Sequence, residues 1–174
     1  MGPFLKTKMR GNELPFVASR NVAHQRYSLP TQVTLQVNSS AFPSNGLLPS
    51  VYRFDGHNCN PPLQIAGIPE TTRSLLIILE QRDAPVAART HWICWDIPAD
   101  RTITTRETRG INGRNDFLHR GYTGPCPQDS LYPFCFVVYA LRSKLHLPFG
   151  ASRHKAEKLL ASQLLGCGEL AFYA

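Results

Sequence analysis

The sequence predicts a mainly β domain, a β-sandwich that carries one helix near its C-terminus. Fourteen prolines and twelve glycines interrupt a chain of 174 residues, which favours short strands and ordered loops over helical bundles. Most apolar runs are short or alternate with polar residues, as strand faces require. One segment, 153–165, has a sustained helical period. The length is sufficient for a single domain with a sizeable core.

The first predicted strands are short. Residues 33–37 read VTLQV, an alternation typical of a half-buried strand. Residues 51–55 read VYRFD and alternate in the same way, before Gly56 and a pair of prolines interrupt the chain. A further short strand is predicted at Leu63–Ala66.

Two strongly apolar runs, Ser74–Glu80 and Thr90–Ile97, predict the centre of the sheet. Joined by a modest loop, they are expected to pair antiparallel, so that both ends of the loop meet at one edge. Asp83 and His91 are therefore predicted to converge at this edge. Strict alternation along the second strand puts His91 on the face of Ile93. Because both faces of this strand are largely apolar, we expect it to be central.

The last third of the chain mixes a long irregular segment with three regular elements. Residues 99–133 have too little periodicity to predict a strand or helix, and long loops in compact domains are often functional. Phe134–Leu141 is predicted to be a buried strand. An apolar stripe predicts a helix at Arg153–Leu165, with Ser152 as its N-cap and Gly166 as the residue that ends it. Glu169–Tyr173 is predicted to return as a final strand.

The net charge of +7 is unevenly distributed. Residues 1–33 contain five basic side chains and one acidic side chain, a net charge of +4. We predict that residues 1–30 form a basic arm and residues 31–174 a folded domain. Nucleic-acid binding is disfavoured, because no basic helix or aromatic-basic stripe accompanies the charge.

The cysteines favour a reducing compartment. They lack the paired spacing of a zinc site and the density of a disulfide scaffold, so buried free thiols and a cytoplasmic location are predicted. No apolar run approaches the roughly 20 residues of a membrane span. No metal set is predicted, because His57, Cys59 and His119 lack ligand spacing. The five cysteines are Cys59, Cys94, Cys126, Cys135 and Cys167.

Five motifs occur in an order that resembles one family, the phosphatidylethanolamine-binding proteins, and in particular its bacterial and archaeal Raf-kinase-inhibitor-like branch. The resemblance covers roughly residues 33–174 and leaves out the arm. The motifs are DGHNCNPPL at 55–63, QRDAP at 81–85, THWICWDIP at 90–98, GRNDF at 113–117 and GYTGPCP at 121–127.

The resemblance implies a β-sandwich with a large central sheet and a small anion-accepting pocket at one edge. Family members bind phosphorylated head groups or side chains, some inhibit kinases or proteases, and prokaryotic members are often homodimers. Asp83 matches the second acid of the family motif and His91 the pocket histidine. Gly124 and Pro125 match the loop that covers the pocket.

This chain departs from the family pattern at three positions. Gln81 replaces the first acid of the DPDAP motif, and alternation points Glu80 away from the pocket. Tyr132 stands near a position where the family often has a histidine. Both replacements are predicted to offer neutral hydrogen bonds. Asn60 replaces a serine of the DGxNxSPPL element.

We therefore predict a non-enzymatic binding protein, without a cofactor, that recognises a small phosphate-bearing anion. Two alternatives remain open. One is a surface-mediated inhibitor of a kinase or protease with a vestigial pocket, and the other is hydrolysis centred on Cys126 or His91. The predicted ligand-binding residues are Asp83, His91, Gln81, Gly124, Pro125, Tyr132 and Phe134.

Overall fold

The computed structural model describes residues 33–82, 88–107, 109–126 and 131–174. The predicted arm at 1–30 and Asp83 lie outside these residues. The elements in chain order are β1 (Val33–Thr34), β2 (Gln36–Asn38), a 3-10 turn (Ser50–Tyr52), β3 (Leu63–Ala66), β4 (Ser74–Gln81), β5 (Arg89–Ile97), β6 (Thr102–Ile103), β7 (Ile111–Asn112), β8 (Pro133–Leu141), α1 (Arg153–Gln163) and β9 (Leu164–Tyr173).

The strands form two sheets, and the mainly β prediction with a C-terminal helix is confirmed. The large sheet has six strands in the order β1-β9-β8-β4-β5-β7, and the small sheet has the order β2-β3-β6. β1 runs parallel to β9, while the other pairs are antiparallel. The predicted hairpin of β4 and β5 is present. β5 is not central, however, since its other neighbour is the two-residue strand β7.

The inner core fills the space between the two sheets. Leu63 and Ile65 of the small sheet face apolar side chains of the large sheet, and all are removed from water. Burial of this kind contributes about 1.5–3 kcal/mol for each large aliphatic or aromatic side chain. The main contributions of the large sheet are Leu75, Ile77, Leu79, Trp92, Phe136, Val138 and Phe172.

A second core lies on the other face of the large sheet, beneath α1. Ala156 and Leu160 are the helix side chains that are buried there, and they pack with Ile78, Ile93 and Trp95 of the sheet. The molecule therefore has three layers: small sheet, large sheet and helix. No helix in the described part of the chain is long and apolar enough to cross a membrane.

A buried ionic network on the helix side fixes the end of β4. The Arg82 guanidinium donates two hydrogen bonds of 2.9 Å to the carboxylate of Glu169 and one of 2.9 Å to Glu80. Arg153 of α1 forms an ion pair of 2.9 Å with Glu80. Glu80 thus lies on the opposite face from its neighbour Gln81, as alternation predicts.

Two predicted strands near the start of the domain have different structures. Residues 51–55 are not a strand but contain a 3-10 turn, closed by hydrogen bonds from Tyr52 N to Pro49 O and from Arg53 N to Ser50 O. The alternating pattern therefore does not produce a strand here, and none of the described strands pairs with this segment. The predicted strand at 33–37 is divided at Leu35, so that β1 joins the large sheet and β2 the small one.

The boundary between α1 and β9 also differs from the prediction. The helix ends at Gln163, and Leu164 already begins β9. The glycine at 166 is not a helix stop: a Cβ atom there would lie 2.5 Å from the carbonyl oxygen of Val33. Glycine permits β1 to approach β9 closely. Ser152 precedes the helix, but its side chain makes no capping hydrogen bond.

Four of the five cysteines are buried free thiols, as the sequence predicts, whereas Cys126 is exposed.

Candidate anion-binding site

Three strands of the large sheet place their ends side by side at one edge. Gln81, the last residue of β4, pairs with Arg89 of β5 on one side and with Phe134 of β8 on the other. These three residues form a row across the sheet. All three residues line the cavity of the candidate site.

A β-bulge directs His91 toward this row. Leu79 pairs with Trp92 and Glu80 pairs with Thr90, so His91 is an extra residue that has no partner in β4. Bulges of this kind redirect side chains next to functional sites. The prediction that His91 shares a face with Ile93 is therefore wrong. Its ring lies 5.1 Å from the ring of Phe134, a member of the inner core, whereas Ile93 packs beneath the helix.

The His91 imidazole is held in one orientation and is almost completely buried, with 3% of its surface exposed. Its Nδ1 lies 3.0 Å from the carbonyl oxygen of Thr123, which can only accept, so Nδ1 carries a proton and donates it. The rings of Phe117 and Phe134 contact it edge-on at centroid distances of 4.8 and 5.1 Å. Its Nε2 is buried and has no hydrogen-bond partner among the described residues.

Two effects disfavour the protonated form of the ring. Burial lowers the pKa of His91 below its ordinary value of 6.5, and the positive charge of Arg89 lowers it further. The backbone at Thr123 and Gly124 and the charge of Asp116 oppose this shift. An anion beside Nε2 would favour the protonated ring and raise the pKa.

A small cavity of about 60 Å³ adjoins His91. Four predicted site residues, Gln81, His91, Tyr132 and Phe134, line it. The prediction missed Arg89 and Phe117 and placed Cys126 only in a weak catalytic alternative. Alternation could have identified Arg89, which lies two residues before His91 next to the loop. The described lining residues are Gln81, Arg89, His91, Phe117, Cys126, Tyr132 and Phe134.

The loop at Gly124 and Pro125, which the family resemblance predicts to cover the pocket, packs beside His91 and supports it. Gly124 and Pro125 are buried beside His91 but are not among the residues that line the cavity. Gly124 N donates to Asn58 Oδ1 at 2.8 Å, and Phe54 N donates to Pro125 O at 3.0 Å. A Cβ atom at Gly124 would lie 2.5 Å from the carbonyl oxygen of Tyr52. The glycine therefore permits two loops to pack closely and holds the neighbouring Thr123 carbonyl against His91.

The buried side chain of Asn115 joins the same loop to β5. Its Nδ2 donates to His91 O at 2.9 Å and to Thr123 Oγ1 at 2.8 Å, while its Oδ1 accepts hydrogen bonds from the backbone of Phe117 and His119. This one amide connects the backbone of His91 with Thr123 and with the turn at residues 117–119. The GRNDF motif predicts a buried, salt-bridged turn at residues 114–116 that supports the pocket loop. The support comes from the Asn115 amide, whose individual contacts were not predicted.

Asn60, which departs from the family motif, acts away from the cavity. Its Nδ2 donates to Thr104 O at 2.8 Å, and its Oδ1 accepts from Glu107 N at 3.0 Å. It secures the loop between β6 and β7. In the described part of the chain, no group of three or more His, Cys, Asp or Glu residues is arranged to hold a metal ion.

The chain belongs to the phosphatidylethanolamine-binding protein family: the profile of that family matches residues 38–174. A UPF0098 protein of Pyrococcus horikoshii is 39% identical over 143 residues, which are 76% of this chain and 72% of that protein. A UPF0098 protein of Methanothermobacter thermautotrophicus is 33% identical over 144 residues, 78% of this chain and 95% of the relative. The resemblance seen in the motifs is thereby confirmed.

Solved structures of the family share the fold. The crystal structure of Escherichia coli YbcL, described as a member of the mammalian PEBP family, has a TM-score of 0.72 and 26% identity, covering 80% of this chain and 96% of YbcL. CT736 of Chlamydia trachomatis, a homologue of phosphatidylethanolamine-binding protein, has a TM-score of 0.75 at 24% identity, covering 81% of this chain and 97% of CT736. The latter likeness shows the fold alone.

Proposed function

We propose that this chain is a non-enzymatic binding protein that holds a small oxyanion, such as a phosphate group, in the cavity beside His91. One observation carries the proposal. A buried imidazole nitrogen, His91 Nε2, has no hydrogen-bond partner among the described residues and adjoins a small cavity. Buried polar atoms are nearly always satisfied, so such an atom calls for a partner.

The surroundings of His91 determine what kind of partner fits. Because Nδ1 already donates to Thr123 O, a proton added at Nε2 gives a cationic donor that is held in a fixed direction. Charge-assisted hydrogen bonds of this type are the strong ones. The Arg89 guanidinium lies on the same cavity wall and attracts the same ligand. Gln81 and Tyr132 add neutral polar groups, and a place for Asp83 at this site stays a sequence-based prediction.

The proposal predicts that sulfate binds more tightly as the pH falls. Sulfate keeps its double charge between about pH 5 and pH 8, so only the protein titrates. In the free protein the pKa of His91 lies below 6.5, and the bound anion raises it. Affinity is therefore expected to rise as the pH is lowered through 6.5 and to level off below the pKa of the free ring. Isothermal titration calorimetry with sulfate between about pH 5 and pH 8 measures this affinity.

The control for this titration is His154→Gln, because His154 is exposed on α1. This variant is expected to keep the full pH dependence. Sulfate affinity that is independent of pH, or sulfate binding that is absent at every pH, would contradict the proposal.

The alternative function, inhibition of a kinase or protease through the protein surface, has one supporting observation. Phe54 and Leu131 are large apolar side chains that are 47% and 49% exposed, in segments next to the loops around the cavity. Exposed apolar groups of this kind occur at protein interfaces. Under this alternative the cavity is vestigial and sulfate does not bind at His91, so the same titration separates the two functions.

A further inference from the structure

The charges of the cavity wall indicate which phosphate compounds fit. Among the described lining residues, Arg89 is a permanent cation and His91 becomes one on protonation, while no carboxylate is present. A cavity with this lining attracts negative charge and repels a positive group on the same ligand.

Arg89 has no charged partner in the described part of the chain. It is exposed, and it makes no ion pair or side-chain hydrogen bond with another described residue. Its guanidinium lies 5.6 Å from the centroid of the Phe117 ring, and this cation–π contact orients it beside the cavity. The same phenylalanine contacts His91, so one aromatic ring positions both nitrogen-bearing side chains.

Among the described residues, the position opposite Arg89 carries no charge that could neutralise its guanidinium. Gln81 pairs directly with Arg89 in the register of β4 and β5. A carboxylate at this position would lie within reach of the guanidinium, since directly opposed side chains on one face are neighbours. The neutral amide of glutamine cannot form such an ion pair.

The size of the cavity limits the ligand as well. Its volume of about 60 Å³ is several times the minimum of roughly 10–15 Å³ for one water molecule. That space suits one tetrahedral oxyanion, so the remainder of a phosphate ester must lie outside the cavity. The exposed residues of the described lining are Arg89 and Cys126, so we expect the ester to leave beside them. In phosphorylethanolamine two carbons separate the ester oxygen from the ammonium group, which would therefore lie near the Arg89 guanidinium.

We propose that Arg89 and Gln81 make this site selective for phosphomonoesters that lack a neighbouring ammonium group, and that zwitterionic ethanolamine head groups bind more weakly. This inference rests on the proposed function and specifies its ligand class. It assigns Arg89 a direct contact with the phosphate ester and Gln81 a role in specificity.

The test compares ethyl phosphate with phosphorylethanolamine, two ligands that differ by the ammonium group. At about pH 7 both phosphates are mostly doubly charged. Ethyl phosphate is expected to bind about three- to fivefold more tightly, the range of an exposed charge–charge interaction. Gln81→Glu should remove this preference and lower the affinity for ethyl phosphate, because the new carboxylate neutralises the charge of Arg89. Calorimetry or ligand-detected NMR measures both affinities.

The matched control is Gln64→Glu, which adds the same charge on the exposed face of β3; it is expected to leave the preference unchanged. If both ligands bind equally and sulfate still requires His91, the selectivity is wrong while the proposed function stands. An unchanged preference in Gln81→Glu also overturns the inference. If neither phosphate ligand nor sulfate binds the wild-type protein, the proposed function fails together with it.

Discussion

Replacing His91 by asparagine is expected to weaken sulfate and phosphate binding by about 10- to 100-fold below pH 6.5. The loss corresponds to one hydrogen bond from a charged donor, about 1.5–3 kcal/mol. Asparagine is the informative substitution, since its Nδ2 can still donate to the Thr123 carbonyl that His91 Nδ1 contacts at 3.0 Å. The loop thus keeps its anchor, while Nε2 and the positive charge are removed. Calorimetric titration with sulfate measures the change.

A second variant separates the loss of charge from the loss of fold. His91→Gln places an amide nitrogen near the position of Nε2, and we expect weak binding that no longer depends on pH. Both variants should retain the wild-type circular dichroism spectrum. Sulfate affinity in His91→Asn equal to that of the wild type would show that the anion binds elsewhere.

The largest expected change in stability follows from Arg82→Met. Its guanidinium bridges Glu80 and Glu169 on the helix side of the large sheet, and the two carboxylates are 3% and 5% exposed. Methionine fills much of the same space but leaves Glu169 without its two guanidinium hydrogen bonds. Breaking a buried pair by removing one partner costs about 3–5 kcal/mol. We expect a loss near the lower limit, about 3 kcal/mol, because Arg153 still contacts Glu80.

Thermal and urea unfolding measure this loss. For a chain of this size a change of about 3 kcal/mol corresponds to a fall in Tm of roughly 6–12 °C. The matched control is Arg142→Met, which removes the same charge from an exposed position at the end of β8; it should change stability by less than about 0.5 kcal/mol. Equal losses in the two variants would show that the buried network contributes little.

The sheet was predictable from the sequence because its signal is local. β4, β5 and β8 are apolar on both faces, and the short loop between the first two requires antiparallel pairing. The position of His91 was not predictable in the same way. A period of two residues in the sequence does not reveal where a strand contains an extra residue. The bulge at His91 places its side chain on the face opposite to the one that strict alternation predicts.

Contacts between distant residues account for the rest of what sequence reasoning missed. Arg82 contacts Glu169 across 87 residues, and Asn115 joins His91 to the loop at Thr123. No pattern of composition or spacing indicates such pairs. Gly124 was predicted to contact the ligand, whereas the structure shows its close packing against Tyr52, a constraint that only the folded chain contains.

At residues 51–55 the sequence pattern predicted a strand that the structure does not contain. The pattern is that of a strand, yet the segment contains a 3-10 turn and pairs with no strand of the two described sheets. A strand needs a partner as well as a pattern. The tertiary arrangement of the remaining strands decided its structure.

Anion binding as proposed requires protonation of one nitrogen, His91 Nε2, which ¹⁵N NMR of the histidine ring measures. Without an anion at about pH 7, His91 is expected to be a neutral imidazole with the proton on Nδ1, because burial disfavours the cation. With saturating sulfate, the Nε2 resonance should move to the position of a protonated imidazolium nitrogen while Nδ1 keeps its proton. A bound anion that leaves the Nε2 resonance of His91 at its unprotonated position would contradict the account.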